Sequence, residues 1–178
     1  MAAQSQLLEQ EKPKERLQRA LGFTLEALQI NAAGRITASQ RGRLLNTAGC
    51  WFGLSIVAAF GWVVNLESIQ HPQTNADLGS AILVLLVLAL LFAWGMSKGI
   101  PLSVDVIQGT VRSYEGYIEL AISDRGKVTH YQVQAGDTVF RVSKSVFLAF
   151  KNDEPYTIYY LPRSKRILSA EWMRNLEA

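Results

Sequence analysis

Two long stretches without a single charged side chain constrain this chain more than anything else in it. Residues 44–66 hold no Asp, Glu, Lys, Arg or His, and neither do residues 78–97. As helices they would extend about 34 Å and about 30 Å at ~1.5 Å per residue, enough to cross a hydrocarbon core ~30 Å thick. Between Ala81 and Trp94 the second stretch is almost wholly Leu, Val, Ala and Ile, with no polar stripe of the kind a soluble core helix carries. The expectation is a transmembrane hairpin: a first span over 44–66, an outer loop over 67–77 and a second span over 78–97.

Flanking charge predicts the orientation. Arg35, Arg41 and Arg43 precede the first span and Lys98 follows the second, whereas residues 67–77 contain no Lys or Arg. The positive-inside rule then puts both termini in the cytoplasm. Trp51, Trp62 and Trp94 lie near span ends, where amphipathic rings favour the interface. Gly49-x-x-x-Gly53, with Gly61 two turns on, gives the first span a small-residue face suited to close helix packing. Its partner is either the second span or another subunit. No ionisable group lies within either span, which argues against a self-contained pump or transporter.

The cytoplasmic amino-terminal segment, residues 1–43, is polar at its start and shows no short apolar signal core. From Lys14 to Ile30 the order Leu17, Ala20, Leu21, Thr24, Leu25, Leu28 reads as one amphipathic helix. Its apolar stripe fits the membrane surface, another helix, or this protein's own β domain. Gly34 suits a left-handed helix stop. Thr37-Ala-Ser-Gln40 matches a capping box, so the first membrane helix is expected to begin near Ala38.

From residue 98 onward the pattern changes to short alternating runs, the mark of a small cytoplasmic β domain. Strands are expected over Val104–Ser113 (with Gly109 as a bulge), Tyr117–Ser123, Lys127–Gln134, Asp137–Ser143, Tyr156–Leu161 and Arg166–Ala170. A short helix over Ser143–Phe150 and a terminal helical turn over Glu171–Leu176 complete the reading. So many short strands bury one core by curling into a small all-β barrel or roll, OB-like or SH3-like.

The runs Gly109-Thr-Val111, Tyr131-Gln-Val133 and Tyr156-Thr-Ile-Tyr-Tyr-Leu-Pro162 resemble bacterial membrane proteins of the DUF3592 type. The likeness covers about a third of the chain and departs at Leu161 and at Arg163-Ser-Lys-Arg166. It implies a few transmembrane helices, a small β domain and a bacterial cytoplasmic membrane, with no settled activity. The layout also resembles NfeD-type proteins, which pair an OB-like domain with a membrane region and partner membrane scaffold proteins.

Chemistry-bearing constellations are not visible. His71 and His130 fall on opposite sides of the membrane in this topology, and neither sits in metal-ligand spacing or a nucleotide fingerprint. Cys50 is the sole cysteine and reads as a packing residue. Ser97-Lys98, Ser143-Lys144 and Ser164-Lys165 are poor Ser/Lys dyads, because the lysine must be desolvated to act as a base. A net charge of +3 does not supply the basic face that nucleic acid requires. Arg163, Lys165 and Arg166 form the densest basic patch and are candidates to meet anionic lipid. The expectation is a non-enzymatic membrane-anchored interaction or accessory protein without cofactor or metal. Its associates are the lipid bilayer and a protein partner or further copies of itself. A subunit of an oligomeric channel or transporter is the alternative; a membrane-surface enzyme is the third.

Overall fold

The structure, a computed structural model, describes residues 14–70, 75–125 and 128–173. Two compact units emerge. One runs from Arg41 to Ile107; the other joins the residues before Arg41 to those after Ile107. The elements are α1 (residues 14–21), α2 (Leu25–Ala32), α3 (Ala38–Gln70), α4 (Asn75–Gln108), β1 (Arg112–Arg125), β2 (Val128–Ala135), β3 (Thr138–Val142), α5 (Lys144–Phe147), β4 (Pro155–Tyr160) and β5 (Ile167–Trp172).

The amino-terminal helix expected over Lys14–Ile30 is two helices. Gly22 takes φ +66 and its N–H donates to the Gln18 carbonyl at 2.8 Å, ending α1. Thr24 then caps α2, its Oγ1 accepting from the Ala27 N–H at 3.1 Å. Gly34, at φ +77, stops α2 as expected: the Arg35 N–H bonds the Ile30 carbonyl and the Gly34 N–H that of Asn31. The capping box forms reciprocally. The Gln40 N–H donates to Thr37 Oγ1 at 3.2 Å and the Thr37 N–H to Gln40 Oε1 at 3.3 Å, starting α3 at Ala38.

Both long helices are long and apolar enough to cross a membrane. They outlast the uncharged stretches, so much of the expected outer loop is helical; His71 lies outside the described residues. Of the strand expected over Val104–Ser113, the part up to Gln108 is instead the end of α4, which continues through Pro101, and only Arg112 and Ser113 are strand. Alternation at Leu102, Val104 and Val106 gave the false period. Gly109, at φ +64, ends this helix rather than bulging a strand.

The β domain is a five-stranded antiparallel sheet of order β3-β2-β1-β4-β5. Among the described residues no ladder joins β3 to β5, so the sheet is open and the expected closed barrel is not formed. The two strands expected on either side of residue 114 are one long β1. Its first half, Arg112–Tyr117, pairs with β4; its second half, Ile118–Arg125, pairs with β2. Where the partner changes, residues 152–154 satisfy the vacated edge. The Ile118 N–H bonds the Glu154 carbonyl, the Asp153 N–H bonds that of Ile118, and the Leu120 N–H bonds Asn152 Oδ1 at 2.7 Å.

The core lies on the inner faces of the two half-sheets. Ile118, Val133, Phe140, Tyr156 and Ile158 are fully buried there, with Phe140 edge-on to Tyr160 at 5.0 Å between ring centroids. Leu17, Phe23, Ala27 and Leu28 of the amino-terminal helices belong to the same cluster. Most of the apolar stripe of α1 and α2 is therefore packed on this protein's own β domain, with Leu25 left exposed. Asn31 Nδ2 seals the contact by donating to Ser169 Oγ of β5 at 2.8 Å, both side chains being buried. Glu171 and Trp172 are strand where a helical turn was expected, and the Met173 N–H bonds the Pro155 carbonyl at 3.0 Å; residues 174–176 lie outside the described residues.

Candidate interaction surfaces

Within the hairpin unit, a glycine motif does bring α3 and α4 together, but it is not the one on the first span. A Cβ at Gly95 would overlap Ser55 Oγ and stand 2.9 Å from the Trp51 carbonyl oxygen; one at Gly99 would meet the Phe52 ring at 3.3 Å. Gly95-x-x-x-Gly99 on α4 is thus the close-approach surface, fitted against Trp51, Phe52 and Ser55 of α3. Ser55 is buried, and its hydroxyl lies 3.1 Å from its own helix's Trp51 carbonyl and 3.4 Å from the Phe92 carbonyl of α4. Trp51 and Trp94 pack edge to face at 5.0 Å. Of the glycines singled out on α3, Gly61 approaches Leu88 at 3.3 Å, whereas a Cβ at Gly49 or Gly53 would meet nothing within 4 Å. Those two glycines face away from α4, and Cys50 beside them is exposed. Gly61 thus faces α4, whereas Gly49 and Gly53 do not. Gly95-x-x-x-Gly99 is legible in the sequence, although Lys98 within it lies past the end of the uncharged stretch.

The basic residues Arg163, Lys165 and Arg166 sit in the turn between β4 and β5, all exposed. The turn is tied by the Lys165 N–H to the Leu161 carbonyl at 3.1 Å and by the Leu161 N–H to the Arg166 carbonyl at 3.0 Å. Lys165 takes φ +52 and stands its ammonium 5.7 Å above the Tyr160 ring centre, a cation–π contact.

Two of the three serines of the Ser-Lys pairs have other employment. Ser97 Oγ donates to the Trp94 carbonyl at 2.7 Å, and Ser143 caps α5 by accepting from the Val146 N–H. Among the described residues no three His, Cys, Asp or Glu side chains gather at one point.

No protein-family profile, curated protein or solved structure matches this chain.

Two buried tyrosines give the β domain an alkaline limit. Burial pushes the Tyr156 phenol up to about 12, although its oxygen accepts from the Lys151 N–H at 3.1 Å. Burial likewise, with the Glu171 carboxylate that its hydroxyl donates to at 3.1 Å, pushes Tyr159 up to about 12. A phenol whose folded pKa exceeds its unfolded value contributes stability that is complete below pH ~10 and lost as pH rises toward 12. Thermal midpoints of the domain should hold up to pH 10 and then fall steeply. The decline should be shallower in Tyr159→Phe. A Tyr159→Phe profile superimposing on the wild type would refute the assignment.

The last surface is a groove of about 340 Å³ between α1 and α5, lined by Arg16, Arg19 and Ala20 on one side and Ser145, Leu148 and Ala149 on the other. Arg16 and Arg19 flank Leu17 on α1. With Leu17 buried in the core, they are left on the wall of a cleft.

Proposed function

We propose that this chain is a non-enzymatic, membrane-anchored interaction protein. The helices α3 and α4 cross the bilayer as a hairpin, and the β domain on the cytoplasmic side binds a protein partner or packs in an oligomer. What supports the reading most is that residues before α3 and residues after α4 build one core, tied by the Asn31–Ser169 hydrogen bond. A single core cannot be divided by a bilayer, so the two ends of the hairpin share one face of it. The basic residues Arg41, Arg43 and Lys98 choose the cytoplasmic face. Exposure along the helices fits lipid as the surrounding medium: Ile56, Val57, Phe60 and Val63 of α3 and Leu83, Leu86 and Leu90 of α4 all stand clear of the fold.

Topology and association are tested together. In membranes, cysteines placed at Lys14 and Arg163 of a Cys50→Ser chain should both react with an impermeant maleimide from the cytoplasmic face alone. In the parent chain, oxidation should crosslink Cys50 between copies, and Gly53→Leu should abolish the product. Labelling of the two ends from opposite faces would end the hairpin reading; monomer alone, with no copurifying partner, would end the interaction reading. A second reading, a subunit of an oligomeric channel or transporter, is favoured by the open Gly49 and Gly53 face of α3. Reconstituted vesicles that stay tight to ions and small solutes would dispose of it.

A further inference from the structure

The groove between α1 and α5 has a chemistry of its own. Arg16 and Arg19 stand one turn apart on the same wall, both exposed. Like charges at that spacing repel, a cost that no ion pair among the described residues offsets. Among the described residues no carboxylate forms an ion pair with either; Glu15 does not line the groove, and Lys151 takes Glu154 at 3.1 Å. The rest of the lining is apolar. Leu148 is 65% exposed although it sits beside buried Ala149, and Ala20 is half-buried opposite. Ser145 turns its hydroxyl to Ser143 at 2.9 Å. Two guanidiniums that form no ion pair among the described residues, beside an apolar trough, match a ligand that is anionic and greasy at once.

We propose that this groove receives an acidic peptide segment of a protein partner, with an apolar side chain against Leu148 and Ala20 and carboxylates on Arg16 and Arg19. The inference rests on the reading of the β domain as a partner-binding module and names the site and the ligand class. The lining places two guanidiniums within a few residues of an apolar floor of Ala20, Leu148 and Ala149, a pairing that a short peptide with alternating carboxylates and apolar side chains matches. The planar fork of a guanidinium binds a carboxylate through two parallel hydrogen bonds, which gives such a segment a fixed orientation.

The test uses the full chain in nanodiscs of zwitterionic lipid and three fluorescein-labelled peptides. These are an acetylated Glu-Glu-Leu-Leu-Glu-Glu, the same with lysine for glutamate, and the same with serine for leucine. The acidic leucine peptide should bind by anisotropy, more weakly at high salt, and the lysine peptide should not. Affinity should fall at least tenfold in the double variant Arg16→Ala, Arg19→Ala, and several-fold in Leu148→Ser or with the serine peptide. Arg16→Lys with Arg19→Lys should recover part of it, and Arg163→Ala with Arg166→Ala should leave it unchanged; unaltered melting of each variant excludes unfolding. Absence of binding, equal binding of acidic and basic peptides, or an unaffected double arginine variant overturns the proposal. So does shielding of a cysteine at Leu148, in a Cys50→Ser chain, by anionic discs without peptide, which makes lipid the occupant. Should these peptides fail while crosslinking to a partner persists, the groove is the wrong site and the interaction reading stands.

Discussion

Leucine in place of Gly95 should force the hairpin apart. The first added carbon already overlaps Ser55 Oγ and crowds the Trp51 carbonyl, and the latter is backbone that cannot swing aside. Overpacking of a close contact costs about 1–3 kcal/mol, more where no neighbour can yield. The Ser55 hydroxyl would lose its approach to the Phe92 carbonyl, and the edge-to-face pair of Trp51 and Trp94 would be displaced. Alanine at Gly49 or Gly53 meets open space, so hairpin stability in a monomeric preparation should stay within about 0.5 kcal/mol of the parent. Steric trapping of the two helices in bilayers, or fluorescence of the tryptophan pair, measures both. A Gly95→Leu hairpin as stable as the parent would show that the helices are not held by this contact.

Truncating Leu17 to alanine should destabilise the β domain by about 2–5 kcal/mol, the range for emptying a fully buried leucine site. Leu25, part of the same apolar pattern, is 52% exposed, and its replacement by alanine should cost a small fraction of that. The pair discriminates sharply. One continuous helix lying on a membrane or on the domain would make the two positions nearly equivalent, since they are eight residues apart on one face. Denaturant unfolding followed by the β-sheet signal separates the cases. A large loss at Leu25, or none at Leu17, would contradict the packing of α1 on the sheet.

Where the sequence was read correctly, the signal was local and chemical. Thr37 and Gln40 announce a helix start because each satisfies the other's backbone N–H, and Gly34 announces a stop because it alone of its neighbours tolerates a positive φ freely. The turn of Gly136 and Asp137 and the inward Phe140 follow from period two. Misreadings came where a periodicity was ambiguous. Leu102, Val104 and Val106 satisfy a strand template, yet α4 carries through them, and Gly109 serves either as a bulge or as a helix stop. Tertiary choices were beyond local signals. Nothing in residues 14–32 reveals that their apolar face is claimed by strands more than a hundred positions later, or that β1 changes partner halfway. The Gly95 and Gly99 surface was legible, and weight went instead to the motif on the first span, whose glycines turn away from the second.

The sharing of one core by the two ends of the chain also sets an order of events during synthesis. The helices α1 and α2 leave the ribosome first, but Ser169, the partner of Asn31, is made 138 residues later. At about 5–20 residues per second that interval is roughly 7–28 s, in which α3 and α4, if they cross the membrane as proposed, would be handed to the insertion machinery. Leu17 and Phe23 must wait uncovered throughout. A nonsense mutation removing β5 should therefore leave a chain that inserts normally and is then cleared by quality-control proteases, betrayed by its first helices rather than its last.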